Sequence, residues 1–191
     1  MKYSYLLLVA AALFISCNSG QKQAQAPETE FNEMAEEIAL RDMVKEVYDQ
    51  VNARYNDSYE PADDNEPTLE QLYTTEDYQA MYDSLHEIEQ QMIQAGRPND
   101  TFFAEGGNVW LMGSQDFPFT TQVARVEFDG SSKADVYFWL EPAESANIPI
   151  LWQMKKVDGK WLIQNFIVGD ENYGDYDYTE NMKDYIKRNS K

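Results

Sequence analysis

Apolar residues in the first half of the chain recur at helical intervals. Between positions 31 and 55 they lie three or four residues apart, which places them on one broad face of a helix. This predicted face comprises Phe31, Met34, Ile38, Val44, Val47, Tyr48, Val51 and Tyr55. Thr29 is the candidate N-cap, because its hydroxyl can accept a hydrogen bond from the first turn. The pattern predicts a long opening helix with one buried face.

Two further helices are predicted before the pattern changes. Thr68-Leu69-Glu70-Gln71 has the spacing of a capping box, which indicates the start of a short helix. A longer helix carries apolar residues at three- and four-residue intervals from Tyr78 to Met92. Gly96 and Pro98 then predict its end.

After Asn99 the period of the pattern falls to two, which indicates strands. In the segment 122–128, one predicted face carries Gln122, Ala124, Val126 and Phe128, and the other carries Val123, Arg125 and Glu127. In the segment 134–141, Ala134, Val136, Phe138 and Leu140 alternate with Asp135, Tyr137, Trp139 and Glu141. The turn at 129–132 joins the two segments as a hairpin.

A second hairpin is predicted closer to the C-terminus. The segments 150–157 and 160–168 flank Asp158-Gly159, a dipeptide that tolerates the positive φ angles of a type I′ turn. Thr179 is the candidate cap of a short last helix. Helices followed by about four antiparallel strands predict an α+β fold, in which the N-terminal helices pack on one face of a curved sheet.

The charge balance limits the kinds of partner. The chain has 34 acidic and 15 basic residues and a formal charge of −19. This balance argues against nucleic acid as a partner, since a phosphate backbone needs lysine and arginine to replace its counterions. Acidity by itself identifies no partner and is typical of a well-solvated surface.

The first residues have the pattern of an export signal. Lys2 precedes an apolar run from Leu6 to Ile15, which is shorter than the roughly 20 residues needed to span a bilayer. Leu13-Phe14-Ile15-Ser16-Cys17 resembles the lipobox of bacterial lipoproteins. The resemblance implies a signal peptide at 1–16 and acylation of Cys17, which would tether the mature chain to a membrane. An ordinary buried cysteine is the alternative for Cys17.

The rest of the chain divides where its composition changes. The segment 17–28 begins with the candidate lipidated cysteine and continues with small polar residues that predict a flexible tether. The segment 29–191 is long enough for one domain with a core. Residues 18–23 lack the acidic run that resembles a surface-export signal in some Gram-negative lipoproteins. We therefore expect a periplasm-facing location in the bacterial cell envelope, with surface exposure as the alternative.

Three segments resemble one family. They are RDMVKEVYDQV at 41–51, the Gln115-Asp116 pair, and Asp158-Gly159-Lys160-Trp161-Leu162-Ile163. They are similar to segments of the DUF3828 family of envelope proteins, within the NTF2-like, cystatin-like group of small lipoprotein domains, over about 31–168. The resemblance implies helices on a curved sheet. Related domains include immunity proteins that block a toxin delivered into the periplasm.

A candidate ligand pocket surrounds the Gln115-Asp116 pair. An amide and a carboxylate set between apolar residues can line a pocket between sheet and helices, with Asp116 binding a cationic or hydroxylated group. Trp110 and Phe117 complete the candidate set as apolar walls. The alternative is structural, with Asp116 accepting backbone N–H bonds and Gln115 tying two strands together.

An enzymatic role is the alternative function. In NTF2-like isomerases and dehydratases an acid or a histidine works inside the cone, so the resemblance implies Asp116 as the base of an isomerase- or hydrolase-type enzyme. That role requires burial to raise the pKa of Asp116. His86 is the only histidine, lies on a predicted helix and has no paired nucleophile. No residue is assigned a catalytic role.

No metal or cofactor is predicted. Two acidic stretches, Asp63-Asp64-Asn65-Glu66 and the set Asp170, Asp175 and Asp177, offer oxygen ligands for calcium but lack the spacing of an EF-hand loop. The single histidine and the absence of a mature cysteine argue against zinc and haem.

Aromatic residues supply a second candidate surface. Tyr137 and Trp139 lie on the predicted sheet face opposite Val136 and Phe138 and, with Tyr173, Tyr176 and Tyr178, are candidates for a binding surface. The alternative is that they pack against the last helix. The first hypothesis is therefore a non-enzymatic, lipid-anchored module that binds a protein, peptide or small ligand. A purely structural lipoprotein is the third possibility.

Overall fold

The computed structural model describes residues 31–55, 66–103, 108–114, 116–169 and 175–190. The helices are α1 (Glu33–Arg54), α2 (Leu69–Tyr73), α3 (Glu76–Gln94) and α4 (Tyr178–Asn189), with a 3₁₀ turn at Pro98–Asp100. The strands are β1 (Thr120–Asp129), β2 (Lys133–Glu141), β3 (Ile148–Val157), β4 (Lys160–Val168) and β5 (Tyr176–Asp177). None of the helices within these ranges is both long and apolar enough to cross a bilayer. The predicted α+β fold is confirmed.

The sheet has the order β1-β2-β3-β4-β5, and every neighbouring pair is antiparallel. The sequence predicted about four strands and missed β5, because two residues are too few to show a period of two. Both predicted hairpins are present. Asp158 and Gly159 have φ angles of 49° and 81°, as the type I′ turn requires.

A β-bulge corrects the predicted faces of β1. The register shifts between Val123 and Arg125, which leaves Ala124 as an extra residue on this strand. Val123 therefore joins Val126 and Phe128 on the face packed against the core. The prediction that Val123 shares a face with Arg125 was wrong, since a single inserted residue reverses the alternation beyond it.

Helix α1 packs on the sheet along only part of its predicted apolar face. The predicted face is buried at Val44, Val47, Tyr48 and Val51, as expected. Its start differs, because Met34 and Ile38 in the first two turns are exposed, as is Phe31 just before the helix. The helix begins at Glu33 with Asn32 as its N-cap, whose side chain accepts from the N–H of Ala35 at 3.2 Å, and Thr29 lies outside the described residues.

Met34 and Ile38 are exposed because the opposite, inward side of this part of α1 makes a polar contact. Glu36 faces the second hairpin, where its Oε1 lies 2.5 Å from Lys156 Nζ and its Oε2 accepts from Trp161 Nε1 at 2.7 Å. With Glu36 in the inward position, the residues two positions to either side, Met34 and Ile38, face away from the sheet.

The core between the helices and the sheet is filled by aromatic rings. The completely or almost completely buried rings include those of Tyr48, Trp110, Phe138, Trp152 and Phe166. Trp152 lies at their centre, with ring centroids 4.8 Å from Phe138 and 6.0 Å from both Tyr48 and Phe166. The space between the helices and this part of the sheet is therefore filled by side chains.

The contact of Glu36 predicts a pH dependence of stability. The hydrogen bond from Lys156, together with that from Trp161, holds the pKa of Glu36 below its usual value. Because the folded-state pKa is the lower one, the stabilisation is complete above the unfolded-state pKa of about 4.3 and is lost as the pH falls through the folded-state value.

We expect Glu36→Gln to lower the free energy of unfolding by about 1 kcal/mol at pH 7. The difference between variant and wild type should be smaller at pH 3 than at pH 7, because the stabilisation is lost as the pH falls through the folded-state pKa. Urea denaturation followed by circular dichroism at both pH values measures this difference. A gap of the same size at the two pH values would contradict the assignment.

Candidate functional site

The segment around Asp116 is held by backbone contacts. The N–H of Asp116 donates to Ser114 Oγ at 3.3 Å, and its C=O accepts from the N–H of Ala143 at 3.1 Å. Its carboxyl group is partly exposed, and Gln115 lies outside the described residues. The cavities described below are lined by other residues.

Asn52 ties α1 to the residue that precedes β1. Its Oδ1 accepts from the N–H of Phe119 and its Nδ2 donates to the C=O of Phe119, both at 2.7 Å. Phe117 precedes a cis bond to Pro118, and its ring lies 4.8 Å from that of Phe119. The side-chain amide of Asn52 fixes the position at which the chain enters β1.

Trp110 is completely buried instead of standing beside Asp116 at a surface. Its Nε1 donates to Glu70 Oε1 at 2.6 Å, and its ring meets Phe166 edge-on at 5.0 Å. The buried carboxylate of Glu70 was not found from the sequence, where it appeared only as the third residue of a capping box. Burial, aided by the charge of Glu70, raises the pKa of the neighbouring Tyr78 well above its usual value.

The face of the sheet opposite the core, called here the outer face, carries a continuous row of side chains. Directly paired residues cross all five strands in the order Arg125, Tyr137, Leu151, Ile167 and Asp177. A second row contains Gln122, Trp139 and Pro149. Tyr137, Trp139, Leu151 and Ile167 together form an apolar strip on the outer face.

The apolar strip has one basic edge. The guanidinium carbon of Arg125 lies 3.8 Å from the centroid of the Tyr137 ring, a cation–π geometry, and its Nε lies 2.9 Å from Glu127 Oε1. Trp139 keeps 38% of its surface exposed, while Tyr137 is half-buried. The tyrosine ring is therefore held in place, and the tryptophan ring is available for contact.

An acidic recess adjoins the strip at the first hairpin. It has a volume of about 440 Å³, and Glu127, Asp129 and Asp135 line it with Lys133 and Gln153. Burial and the charges of Glu127 and Asp129 raise the pKa of Asp135. A cation placed in this recess would relieve the repulsion among the three carboxylates.

The last helix packs elsewhere. The hydroxyl of Tyr185 donates to the C=O of Asp100 at 2.7 Å, and its ring lies 5.6 Å from Phe102. Helix α4 packs chiefly against α3 and β4, and Trp139 on β2 remains exposed. Tyr176 packs on Tyr178 at 4.8 Å, while Tyr173 lies outside the described residues.

A polar cleft of about 430 Å³ lies where α3 and α4 begin, beside β4. Asn165 is buried there, and its Nδ2 donates to Asp177 Oδ2 at 2.9 Å while its Oδ1 accepts from the N–H of Thr179 at 3.3 Å. Asp177 Oδ1 in turn caps α4 by accepting from the N–H of Glu180. These contacts give Asp177 a structural role in place of the calcium role considered for it.

The remaining candidates are not gathered into a site. His86 is exposed on α3. Among the described residues, no group of three or more histidine, cysteine, aspartate or glutamate side chains is placed to hold a metal ion. Asp63, Asp64, Asn65 and Asp170 lie outside the described ranges.

Comparison with known proteins adds no relative to this picture. No family model, no curated protein and no solved structure matches the chain. The functional assignment therefore depends on the chemistry of the outer face.

Proposed function

We propose that this chain is a lipid-anchored, non-enzymatic binding protein of the bacterial cell envelope, and that it holds a basic protein or peptide on its outer face. The observation that carries the proposal is the apolar strip, in which Trp139 is exposed on the outer face. Exposed tryptophan beside a half-buried tyrosine is typical of the anchor residues of protein interfaces.

Charge favours a basic partner. The strip is flanked by the acidic recess, where burial and the charges of Glu127 and Asp129 raise the pKa of Asp135. A lysine or arginine from a partner would enter a site that already favours positive charge. The overall charge of −19 would attract a basic protein at long range and speed its encounter. An immunity protein acting against a basic toxin is one specific form of this proposal.

The envelope location is the part of the proposal that depends on Cys17. Acylation at that position supplies two or more chains, which is sufficient for a stable anchor, since one chain alone binds only reversibly. The lipobox-like residues 13–17 support this part of the proposal. A periplasm-facing location follows from the composition of residues 18–23 and remains an expectation.

The enzymatic alternative has no matching geometry to support it. It requires Asp116 to be buried in a cavity beside a second polar group. The Asp116 carboxyl group is partly exposed, and Trp110, the candidate wall of that cavity, lies in the core against Phe166. No second function is therefore proposed.

Binding on the outer face is tested by crosslinking from position 139. A photoreactive phenylalanine analogue replaces Trp139 in the full chain, expressed in its own envelope, and the same analogue replaces Ile93 as a control. Ile93 is a matched site, because it is an exposed apolar residue on α3 with 47% of its surface accessible. We expect one discrete adduct from position 139 and none from position 93.

The partner so identified then allows an affinity measurement. Trp139→Ala should weaken binding at least tenfold, which corresponds to about 1.4 kcal/mol, while Ile93→Ala should leave the Kd unchanged. Raising the salt concentration should lower the association rate, since charge steers the encounter. Equal affinities of the two variants would refute the assignment of the outer face.

A further inference from the structure

The first two turns of α1 carry an exposed apolar stripe. Met34 and Ile38 lie four positions apart and share one side of the helix, and Phe31 lies just before the N-cap Asn32. In that order their exposed fractions are 74%, 55% and 36%. Single exposed apolar residues are ordinary, but three so close together in the chain favour contact with another apolar phase or surface.

The stripe lies at the end of the domain where both hairpins turn. The ring of Phe31 meets that of Phe128, at the end of β1, with centroids 5.4 Å apart. Glu36, between Met34 and Ile38 in sequence, contacts Lys156 and Trp161 of the second hairpin. We call this part of the molecule the hairpin end. Val157, next to Lys156, adds another exposed apolar side chain there.

Basic residues gather at the same end. Four of the 15 lysine and arginine residues of the chain lie within the ends of β2, β3 and β4 that meet there. They are Lys133, Lys155, Lys156 and Lys160. Asp129 and Asp158 lie in the same turns, and the acidic recess adjoins the first of them, so the hairpin end carries both lysines and carboxylates. Lysine side chains beside apolar residues suit the boundary between acyl chains and phosphate groups.

The segment that links the candidate lipidated Cys17 to the domain joins it at the hairpin end. Residues 18–30 separate Cys17 from Phe31, and a stretch of that length spans at most roughly 50 Å when fully extended. A tether this short keeps the hairpin end at a high effective concentration near the membrane, so even weak contacts are populated.

From these observations, and resting on the lipid anchoring proposed above, we infer that the hairpin end docks on the phospholipid bilayer. Met34 and Ile38 insert at the level of the headgroups, and the exposed Lys155 contacts lipid phosphates, since Lys156 is paired with Glu36 and Lys160 with the C=O of Leu72. The domain then has a fixed orientation. Trp139 is six residues from Lys133 along β2, which places the apolar strip about 20 Å further from the bilayer and open to a partner.

The test uses depth-dependent quenching in the full lipidated chain. Because Cys17 is the only cysteine and is blocked by acylation, an introduced cysteine can be labelled alone. Ile38→Cys and Ile93→Cys are compared, since both replace an exposed isoleucine on a long helix. Each protein carries an environment-sensitive fluorophore in vesicles of phosphatidylethanolamine and phosphatidylglycerol that contain spin-labelled lipid.

We expect the label at position 38 to be quenched about twofold by the spin-labelled lipid, as for a group inserted at the headgroup boundary, and the label at position 93 to be unaffected. Equal quenching at the two positions would overturn the inference. A label at position 38 that is shielded from aqueous iodide but not reached by the spin-labelled lipid would also overturn it, by showing that a protein covers the stripe.

Failure of the anchor itself is recognised separately. A chain that is washed from the vesicles at alkaline pH, with Cys17 unmodified by mass spectrometry, would refute lipid anchoring and the docked orientation with it. A chain that stays anchored while position 38 remains exposed to iodide would overturn only the docking. The crosslinking experiment on the outer face is independent of both results.

Discussion

Replacing Trp152 by alanine is expected to lower the free energy of unfolding by about 3–5 kcal/mol. Trp152 is completely buried, and three rings surround it, those of Tyr48, Phe138 and Phe166. Removing the indole ring leaves a cavity. The three surrounding rings cannot move to fill it, because the sheet and α1 hold them in place. Urea denaturation of the full mature chain, followed by far-ultraviolet circular dichroism, measures the loss.

Two further variants separate the effect of the cavity from other causes. Trp152→Phe should cost far less, because its ring refills most of the space and the indole N–H it removes has no hydrogen-bond partner among the described residues. Trp139→Ala removes the same side chain from the outer face and should cost about 1 kcal/mol or less. Equal losses for Trp152→Ala and Trp139→Ala would show that the centre of the core has been placed incorrectly.

Structural elements that depend only on residues close together in the sequence could be predicted from it. Asp158-Gly159 determines its own turn, because both residues adopt positive φ angles. The three- and four-residue spacing of buried residues from Val44 to Val51 depends only on the helix that contains them. The bulge at Ala124 could not be predicted, since it arises from pairing with β2 and leaves no mark in the alternation of β1. The exposed Met34 was missed for a related reason, because Glu36 takes the inward position only when Lys156 and Trp161 lie opposite.

The candidate surfaces also divide into those that the local sequence could predict and those that depend on distant parts of the chain. The alternation along β2 places Tyr137 and Trp139 opposite Phe138 without knowledge of any other strand, and the structure has them there. The acidic recess forms only when β1, β2 and β3 are brought side by side. In the sequence its residues therefore appeared only as separate charges. Trp110 appeared to be a pocket wall because its acceptor, Glu70, lies 40 residues earlier in the chain.

Glu70 and Trp110 form the buried polar pair whose loss has the second large expected effect. Glu70 Oε1 accepts from Trp110 Nε1 at 2.6 Å, and both residues are buried. The backbone C=O of Glu70 accepts from the N–H of Thr74 and from Gln79 Nε2, contacts that a side-chain substitution leaves in place. A loss of stability on changing the side chain therefore reports on the carboxylate and its partner.

We expect Glu70→Ala to lower the free energy of unfolding by about 1–3 kcal/mol, because the indole N–H is left unpaired inside the core. Trp110→Phe should cost a similar amount, since it leaves the carboxylate without this donor. The double variant should cost less than the two losses added together, by about 1–2 kcal/mol, as residues in direct contact do. Glu70→Gln keeps an acceptor oxygen and should retain most of the stability. Additive losses in this cycle, measured by urea denaturation, would show that the two side chains do not stabilise the core as a pair.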